Sequence, residues 1–367
     1  MLKICHIISG DLWAGAEIMA CTLLNNLKKF PDLDIPVILL NEGRLAEELR
    51  NSGFSVIILN ENQNSFFQLV RKARKLFINL KYDIIHSHRY KENLLVFIAT
   101  KGLPKVSLLA THHGLPEVFE GYSNLKQQLK EKLNFFILSR YFTNTVAVSF
   151  DIKNRLVAQS GFNGESIEVI HNGIKIPERY LINKEPSPDF TIGSSGRLFP
   201  IKDYPLMVET ARLVTKQMKQ VRFQLAGEGP SQTEIESLIL RYGLKEQFEL
   251  KGHLNEMGGF YRGLNLYINT SVHEGIPMSI LEAMTMGIPI VAPDVGGIKE
   301  IIDDGVEGFL VKGRDPQDFA EKCLEIITND KLRDSMSNAA QDKVIQFFSA
   351  EKMAMNYYKL YKLLGDD

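Results

Sequence analysis

Short apolar runs rich in β-branched residues alternate with longer amphipathic segments along the whole chain. Apolar runs of this length predict buried strands, and apolar positions at helical spacing predict helices that pack on them. The predicted strands of the first half cover residues 3–8, 36–40, 55–59, 84–86, 106–111, 145–149 and 168–170. Those of the second half cover residues 190–194, 222–226, 248–251, 266–269, 288–292 and 308–311. Two such series predict an α/β protein with two doubly wound, Rossmann-like domains.

The two domains are predicted to join near residue 177. Residues 173–190 carry Pro177, Pro186 and Pro188 among polar residues and show neither a helical nor a strand period. A length of 367 residues is also more natural for two domains than for one. We therefore predict an N-terminal domain at residues 1–177, a C-terminal domain at residues 178–349 and a final helix within residues 350–367.

The composition is that of an ordinary soluble protein, with 44% hydrophobic and 24% charged residues. The apolar runs fall well short of the roughly 18 residues that a membrane-spanning helix needs. Lys3 and His6 interrupt the first apolar run, which is therefore interpreted as a strand and not as a secretory signal. The three cysteines show no metal-ligand or C-x-x-C spacing, and we expect reduced, buried thiols in a cytoplasmic protein.

The net charge of −1 hides a difference between the two halves of the chain. Residues 1–177 hold 21 Lys and Arg against 16 Asp and Glu (+5), and the remainder holds 22 against 28 (−6). Two basic amphipathic segments, at residues 66–81 and 126–142, lie in the first half. Such a segment usually has one face in the core and one in water, but basic amphipathic helices also bind anionic membranes. A peripheral position on the inner membrane face is thus one hypothesis, whereas no motif predicts a nucleic-acid partner.

The most informative stretch for chemistry is residues 271–300. Glu274 and Glu282 stand eight positions apart around a turn that follows a predicted strand and opens a predicted helix. The unpaired N–H groups and partial positive charge of a helix N-terminus allow this turn to bind phosphate oxygens. The turn consists of Gly275, Ile276, Pro277, Met278 and Ser279, with Pro277 expected in the first helical turn. One carboxylate on each side would suit a sugar, a diphosphate and a ribose, although a lone Glu-Gly-x-Pro is more often a capped strand–turn–helix.

The full string resembles the Glu-x7-Glu motif of the family-4 (group 1) retaining glycosyltransferases. The agreement continues through residues 283–284, 287–289 and 291–292 to Gly296, Gly297 and Glu300. The resemblance implies a GT-B fold, in which two Rossmann-like domains face a central cleft and the C-terminal helix crosses back to the first domain. It also implies that Glu274 holds hydroxyls of the donor sugar and that Glu282 holds those of the ribose.

Two further positions in the second domain are implied to meet the donor diphosphate. Arg197 and Lys202 follow the strand at residues 190–194, with Gly196 directly before them. Cations at a strand end are usually surface charges, but the family has an Arg and a Lys at corresponding places. Fixed cations of this kind would stabilise the departing nucleoside diphosphate without a metal ion.

Two loops are implied to line the nucleotide side of the site. Gly227 lies in a strand-to-helix turn that resembles a dinucleotide loop, but Gln232 stands where that fingerprint needs a glycine. The ordinary interpretation is a turn that uses glycine's backbone freedom. Leu254, and with less support His253, resembles the segment that meets the base.

In the first domain, residues 9–17 resemble the family's Gly-Gly-x-Glu loop, with Ala14 in place of the first glycine. Gly15 keeps the implied role of allowing the backbone to approach phosphate or acceptor. Trp13, the one tryptophan, is either ordinary core or a plate that faces the acceptor.

Adjacent histidines, His112 and His113, follow the predicted strand at residues 106–111. The family has a Thr-x-His at this place whose histidine reaches the transferred sugar, and Thr111 supplies the threonine. We prefer His113 to His112 for this role, with the choice left open, and we interpret His86 and His88 as mainly structural.

No Asp-x-Asp metal motif is evident, because Asp32 and Asp34 fit its spacing but lie where a loop is expected. We therefore predict metal-independent transfer, with no cofactor besides a nucleoside diphosphate sugar, most commonly UDP-linked in this family. The implied reaction is retaining transfer to a hydroxyl of a saccharide or lipid-linked glycan, in polysaccharide biosynthesis, by front-face attack. The catalytic set would be His113, Glu274, Arg197 and Lys202. A nucleotide-sugar epimerase and a non-catalytic nucleotide-sugar-binding protein are the alternatives.

Overall fold

The computed structural model of the chain describes residues 1–11, 13, 15–104, 106–114, 125–158, 162–176 and 190–366, with residues 125–127 and 366 described by their backbone alone. The described residues form two compact units. The first unit contains the described residues up to Lys175 together with those from Ser349 onward, and the second extends from Ile176 to Phe348.

The first unit is built on a parallel sheet. Its strands are β1 (Leu2–Ile8), β2 (Leu33–Asp34), β3 (Val37–Leu39), β4 (Val56–Ile58), β5 (Ile84–Ser87), β6 (Ser107–His112), β7 (Asn144–Ala147) and β8 (Ile167–Val169). They lie in the order β4-β3-β1-β5-β6-β7-β8, with β2 paired to β1. Since the order runs both ways from β1, the sheet is doubly wound and its chain reversal lies beside β1.

Helices cover both faces of this sheet. They are α1 (Gly15–Leu27), α2 (Arg44–Asn51), α3 (Phe66–Leu80), α4 (Tyr90–Thr100), α5 (Leu125–Tyr141) and α6 (Phe150–Ala158). Ile7 of β1 packs in a core with α3, α4 and α5, whereas its neighbour Ile8 packs in a second core with α1 and α2. Successive side chains of a strand point to opposite faces, which explains the two cores.

The second unit has the same architecture. Its strands are β9 (Thr191–Ser195), β10 (Arg222–Ala226), β11 (Phe248–Gly252), β12 (Leu266–Ile268), β13 (Ile290–Pro293) and β14 (Gly308–Val311). Its helices are α7 (Tyr204–Gln217), α8 (Gln232–Arg241), α9 (Met257–Arg262), α10 (Met278–Thr285), α11 (Ile298–Ile301), α12 (Pro316–Thr328) and α13 (Asp330–Phe347). The parallel order β11-β10-β9-β12-β13-β14 is the Rossmann order 3-2-1-4-5-6.

The last helix, α14 (Ala350–Asp366), belongs to the first unit and packs against α1 and β5. The backbone N–H of Ala350 donates to the carbonyl oxygen of Ile174 at 2.8 Å and fixes the start of the helix. Tyr357 and Tyr361, one turn apart, are buried on the side that faces the sheet. This helix therefore brings aromatic side chains from the end of the chain onto the face of the sheet that carries His6 and His86.

The prediction of two doubly wound parallel sheets is confirmed, and the three cysteines are free and buried. The loop expected around Asp32 and Asp34 is wrong, because Leu33 and Asp34 pair with Leu2 and Lys3 as a short strand. The sequence hid this strand because it is only two residues long and lies between two prolines. Within the described part of the chain, no helix is long and apolar enough to cross a membrane.

Candidate active site

The loop after β9 carries the two predicted cations. Gly196 adopts a φ of +149°, a backbone conformation that L side chains rarely adopt. The chain then passes the exposed Arg197 and forms a single 3-10 turn at Pro200–Lys202 before α7 begins. Lys202 is half-buried at the end of that turn. The short turn therefore separates the two cations and sends Lys202 toward the interior of the unit.

Backbone hydrogen bonds join the loops that follow β9, β10 and β11. The N–H of Gly196 donates to the carbonyl of Ala226 at 3.0 Å, and the N–H of Gly227 donates to that of Gly252 at 2.8 Å. A Cβ on Gly227 would lie 1.9 Å from the carbonyl oxygen of Gly196. Gly227 is thus required by the close approach of two loops. This edge of the sheet, at the carboxyl ends of the strands, is where open α/β sheets bind ligands.

Glu274 and Lys202 form an ion pair at the entry to α10. The Lys202 Nζ donates to Oε1 of Glu274 at 2.5 Å, and the Ser271 Oγ donates to the same oxygen at 2.6 Å. The side chains of Glu274 and Lys202 are 13% and 24% exposed. At this exposure the pair is better shielded from solvent than an ordinary surface salt bridge. The arrangement fixes a cation and a carboxylate side by side.

The backbone of Glu274 is positioned by the two glycines of residues 296–297. The N–H of Gly297 donates to the carbonyl oxygen of Glu274 at 3.0 Å. Gly296 has a φ of +53°, and a Cβ there would lie 2.1 Å from the same oxygen. The Gly-Gly pair that follows β13 therefore has a structural reason: it allows the loop after β13 to close over the backbone of Glu274.

The turn before α10 is mostly buried and leads directly into the helix. Gly275, Ile276, Pro277 and Met278 are buried and Ser279 is half-buried. Pro277 is the N-cap residue and not a member of the first helical turn as expected, and α10 begins at Met278. The amides of the first turn lack intrahelical partners by geometry, so this end of the helix favours anions.

Glu282 lies in the second turn of α10, in a different environment from Glu274. The Tyr261 hydroxyl donates to its Oε2 at 2.5 Å and lies 2.8 Å from the Ser195 Oγ. Burial raises the pKa of Glu282 above its usual range, and the Tyr261 hydrogen bond opposes part of that rise. Tyr261 and Ser195 were not predicted, because neither belongs to the string that contains Glu282.

Arg197 lies after β9, and the residues expected near the base, Leu254 and His253, lie after β11. Arg197 places its guanidinium carbon 4.8 Å from the centre of the Phe199 ring, so its planar group lies over an aromatic face. Leu254 is half-buried, and His253 is exposed and donates its backbone N–H to the carboxylate of Glu228 at 3.3 Å. An apolar side chain and a stacked cation on one sheet edge can accept a planar, anionic ligand.

Arg314, which follows β14, contacts the two segments that carry the ion pair. This residue was not predicted from the sequence. It donates to the carbonyl oxygen of Ser271 at 2.9 Å and to that of Thr270 at 2.5 Å, and it pairs with the carboxylate of Asp203. Asp203 directly follows Lys202 and has a positive φ of 45°. One guanidinium thus ties the segment that carries Lys202 to the segment that leads to Glu274. No local sequence pattern predicts this role of Arg314.

In the first unit, the loop after β1 is only partly described. Ala14 lies outside the described residues, and Gly15 is the exposed first residue of α1. Trp13 is half-buried and packs against the core formed with α1 and α2, with the guanidinium carbon of Arg44 4.8 Å from its ring centre. Glu17, in the first turn of α1, is fully buried and pairs with Arg89. Trp13 therefore has a clear packing role, and its side chain also contacts a cation.

The adjacent residues His112 and His113 lie in different environments. His112 ends β6 and its ring stacks near Phe135 of α5, with ring centres 6.3 Å apart. The Nε2 of His113 lies 3.2 Å from the Nδ1 of His88, within hydrogen-bond distance. Burial lowers the pKa of His112 to about 4 and that of His113 well below its usual range. Both imidazoles are therefore neutral at physiological pH.

His113 contacts a cluster of buried histidines, of which His86 and His88 were interpreted from the sequence as mainly structural. His6 on β1 pairs in register with His86 on β5, and the two ring centres are 4.6 Å apart. His88 stacks on His86 with ring centres 4.3 Å apart. Burial lowers the pKa of His6 to about 3 and those of His86 and His88 well below the usual range. Two features could have predicted this cluster: the alternating His86 and His88, and a strand register that places His6 opposite His86.

Within each unit, the structure thus shows which predicted residues come together. Glu274 contacts Lys202, and the turn at residues 275–279 begins the helix that carries Glu282. Gly196 and Gly227 lie against each other. Arg197 and Leu254 occupy the ends of other strands in the same sheet, and His113 and Gly15 belong to the first unit.

Two family models match the sequence and together cover most of it. Residues 13–177 match the family described as "Glycosyltransferase Family 4". Residues 178–343 match the family described as "Glycosyl transferases group 1". The boundary between the two matches falls at residues 177–178.

Individual relatives are distant. A UDP-Gal:alpha-D-GlcNAc-diphosphoundecaprenol alpha-1,3-galactosyltransferase of Escherichia coli is 24% identical over 98% of this chain and 96% of its own length. A poly(ribitol-phosphate) alpha-N-acetylglucosaminyltransferase of Staphylococcus aureus is 28% identical over 59% of this chain, which corresponds to 42% of the relative. The crystal structure of HepE from Anabaena in complex with UDP-glucose has a TM-score of 0.84 at 21% identity, over 99% of this chain and 100% of that one. At that identity, the structural likeness shows the fold alone.

Proposed function

Because the chain belongs to the group 1 glycosyltransferases of GT-B fold, we propose that it transfers a sugar from a UDP-sugar to a hydroxyl of a saccharide or lipid-linked glycan, with retention of the anomeric configuration. The choice of UDP is supported by the HepE structures, which contain UDP or UDP-glucose, and by the UDP-Gal donor named for the E. coli relative. The same relative's acceptor, a diphosphoundecaprenol-linked sugar, supports a lipid-linked glycan and a place in polysaccharide biosynthesis.

The observation that carries this proposal is the Lys202–Glu274 ion pair at the N-terminus of α10. Departure of UDP leaves negative charge on the diphosphate, and fixed positive groups stabilise that charge as it develops. Lys202, Arg197 and the first-turn amides of α10 supply such groups without requiring a metal ion. We propose metal-independent transfer on this basis.

The two carboxylates have separate proposed roles. Glu274 is ion-paired and partly exposed, so it can accept hydrogen bonds from hydroxyls of the donor sugar. Glu282 is shielded and held by Tyr261, and we propose that its remaining acceptor capacity receives the ribose hydroxyls. Leu254 and Gly227 would line the base and nucleotide side, and Gly196 would allow the backbone to approach the phosphates.

No carboxylate among these residues is placed as a free nucleophile, since Glu274 is bound by Lys202 and Ser271. Front-face attack, with the leaving phosphate accepting the acceptor's proton, is therefore the proposed course. His113 is proposed to orient the transferred sugar near its anomeric carbon, as its Thr-x-His position implies.

A donor screen followed by a transfer assay tests the proposal. Thermal-shift measurements with a panel of nucleotide sugars should identify a UDP-sugar as the strongest stabiliser, and transfer should persist in EDTA. Glu274→Gln should abolish most transfer, whereas Glu234→Gln, on the exposed face of α8, should not. Conversion of the donor sugar without any acceptor would instead identify an epimerase, and binding without either reaction would identify a non-catalytic binding protein.

We further propose that α5 contacts an anionic membrane surface, which would bring the protein to a lipid-linked acceptor. Leu129, Leu133 and Phe136 follow one another at helical spacing and are 68%, 42% and 54% exposed. Lys130, Lys132 and Arg140 on the same helix are also exposed. Apolar side chains flanked by cations suit the interface of an anionic bilayer.

Liposome co-sedimentation tests this surface. Binding should require anionic phospholipid, and the double variant Leu133→Ser, Phe136→Ser should lose most of it. The control is Phe347→Ser, because Phe347 is similarly exposed at 51% but lies on α13 of the second unit. Equal binding to neutral and anionic vesicles would remove the proposal.

A further inference from the structure

Seven side chains of the first unit form one unbranched hydrogen-bonded chain that ends at His113. The first three links join His113 Nε2 to His88 Nδ1 (3.2 Å), His88 Nε2 to His6 Nδ1 (3.1 Å), and His6 Nε2 to the Tyr361 hydroxyl (3.1 Å). The Tyr361 hydroxyl then lies 2.8 Å from His86 Nδ1. The last two links join His86 Nε2 to Thr111 Oγ1 (2.8 Å) and Thr111 Oγ1 to the Tyr357 hydroxyl (2.8 Å). All of them except the half-buried His113 are at most 3% exposed. The chain thus connects a predicted site residue to the C-terminal helix.

A shared metal ion is the other possible use of this cluster. The ring nitrogens of His6, His86 and His88 lie within 4.8 Å of one another, which is close enough for common ligation. However, each of their six ring nitrogens already has a hydrogen-bond partner within 3.2 Å. Ligation would break several of these bonds inside a buried core, so a hydrogen-bonded chain accounts for the geometry better.

The chain can carry its protons in only two consistent ways. A neutral imidazole has one N–H donor and one bare nitrogen, and a buried hydroxyl between two partners must donate to one and accept from the other for its own proton to be bonded within the chain. Burial keeps these histidines neutral by lowering their pKa values. Fixing the donor at one link therefore fixes every other link. Either all the bonds point from His113 toward Tyr357, or all point from Tyr357 toward His113.

The two ends of the chain decide between these directions. If the bonds point toward Tyr357, its hydroxyl accepts from Thr111 and its own proton has no acceptor among the described residues, in a site that is 1% exposed. The Nδ1 of His113 is buried and has no hydrogen-bond partner among the described residues in either case. Bonds that point toward Tyr357 thus leave two buried groups unsatisfied, whereas bonds that point toward His113 leave one. An unsatisfied buried group is costly, so the direction that starts at Tyr357 is favoured.

We propose that the chain runs from Tyr357 to His113, so that His113 accepts at Nε2 and carries its proton on Nδ1 as the donor for a substrate oxygen. Tyr361 is then a positioning residue, which acts on His113 through His6 and His88. That the oxygen belongs to the transferred sugar rests on the proposed function, whereas the position of the proton does not.

This assignment has a chemical consequence for His113. With Nδ1 protonated and Nε2 occupied by His88, the imidazole offers a hydrogen-bond donor and has no bare nitrogen left to remove a proton. It can orient a sugar hydroxyl or ring oxygen but cannot act as the general base for the acceptor. Such a role agrees with front-face attack, in which the leaving phosphate takes the acceptor's proton.

NMR of the intact, ligand-free protein labelled with ¹⁵N-histidine tests the assignment, since ring nitrogen shifts distinguish the two neutral tautomers. His113→Gln identifies the His113 signals by their loss. We expect the Nδ1–H tautomer of His113 in at least about fivefold excess, the ratio that the lower bound for one additional unsatisfied buried group implies. A predominant Nε2–H tautomer would overturn the proposal. No substrate is used, so a failed transfer assay and a wrong tautomer remain separate results.

Two variants of α14 provide a matched pair. Tyr361→Phe cuts the chain in the middle, so that His6, His88 and His113 can point either way at similar cost, and the two tautomers of His113 should become comparable in population. Tyr357→Phe removes the same group one turn earlier but leaves Thr111 as the donor to His86, so the Nδ1–H tautomer should persist. If α14 acted only by packing, the two variants would affect His113 equally, and that result would contradict a directional chain.

Discussion

The ion-paired cluster of the second unit and the histidine cluster of the first unit are built in opposite ways. The first depends on the backbone: Gly296, Gly297 and the loop glycines allow strand-end segments to touch, and the ion pair that results is partly exposed. The second is fixed by side chains on neighbouring strands and a helix, and all of its histidines are neutral. The comparison teaches that charge is kept where water still reaches, whereas the buried imidazoles are tolerated because they are neutral and hydrogen-bond to one another.

Acidification should distinguish the two clusters most strongly. A histidine whose pKa is lower in the folded state contributes stability above its unfolded pKa of about 6.5, and this stability is lost as the pH falls toward the folded value. For His6, with a folded pKa of about 3, the loss at pH 5 is about 2 kcal/mol. His86, His88 and His113 shift in the same direction.

Hydrogen exchange at pH 7.5 and pH 5, corrected for the chemical exchange rate, checks this expectation. The strands β1 and β5 should lose protection at pH 5, whereas β9 and β13 of the second unit should retain most of theirs. Equal loss in both units would show that the neutral histidines do not control the acid response.

Gly296→Ala should nearly abolish transfer. The new Cβ would meet the carbonyl oxygen of Glu274 at 2.1 Å, so the loop must move and displace the carboxylate. A displacement of about 1 Å at a reacting site can reduce the rate about 100-fold. In the control, Gly305→Ala, the glycine also has a positive φ of +81° but faces open space. We expect that control to lose stability and keep kcat/KM.

Lys202→Ala should lower kcat/KM by about 100-fold, because one fixed donor at a developing charge has an effect of that order. Lys331→Ala, which removes an exposed lysine of α13, serves as the control. Loss of activity through KM alone, with kcat unchanged, would indicate that Lys202 binds the donor without stabilising the departing diphosphate.

Glu282→Gln should weaken UDP binding by about tenfold, since a charged hydrogen-bond acceptor for the ribose is lost. The ligand-free protein should at the same time become more stable near neutral pH. The raised pKa of Glu282 means that its ionised form is unfavourable in the fold, so stability is lost as the pH rises through that pKa. Calorimetry at pH 7.5 and pH 4.5 should show the stability gain shrinking at the lower pH. A variant that is less stable at pH 7.5 would contradict this account of the carboxylate's environment.

The same contrast explains how far the sequence could be interpreted. The doubly wound sheets follow from alternating apolar runs, and the turn before α10 follows from a continuous string of residues. Arg314 and Tyr261 could not be predicted, because Arg314 reaches the site from the segment after β14 and Tyr261 from α9, each through a single side chain. The histidine chain depends on the register of His6 opposite His86 and on Tyr361, which lies 355 residues from His6 along the chain. Such long-range contacts leave no periodic signal in the sequence.

The anomeric configuration of the first product tests the central claim most directly. With the donor identified by thermal shift and a suitable acceptor, ¹H NMR during the earliest turnovers shows whether the sugar keeps its configuration. The account predicts retention, together with loss of product formation in Lys202→Ala and Glu274→Gln. An inverted product would contradict front-face transfer at the Lys202–Glu274 pair.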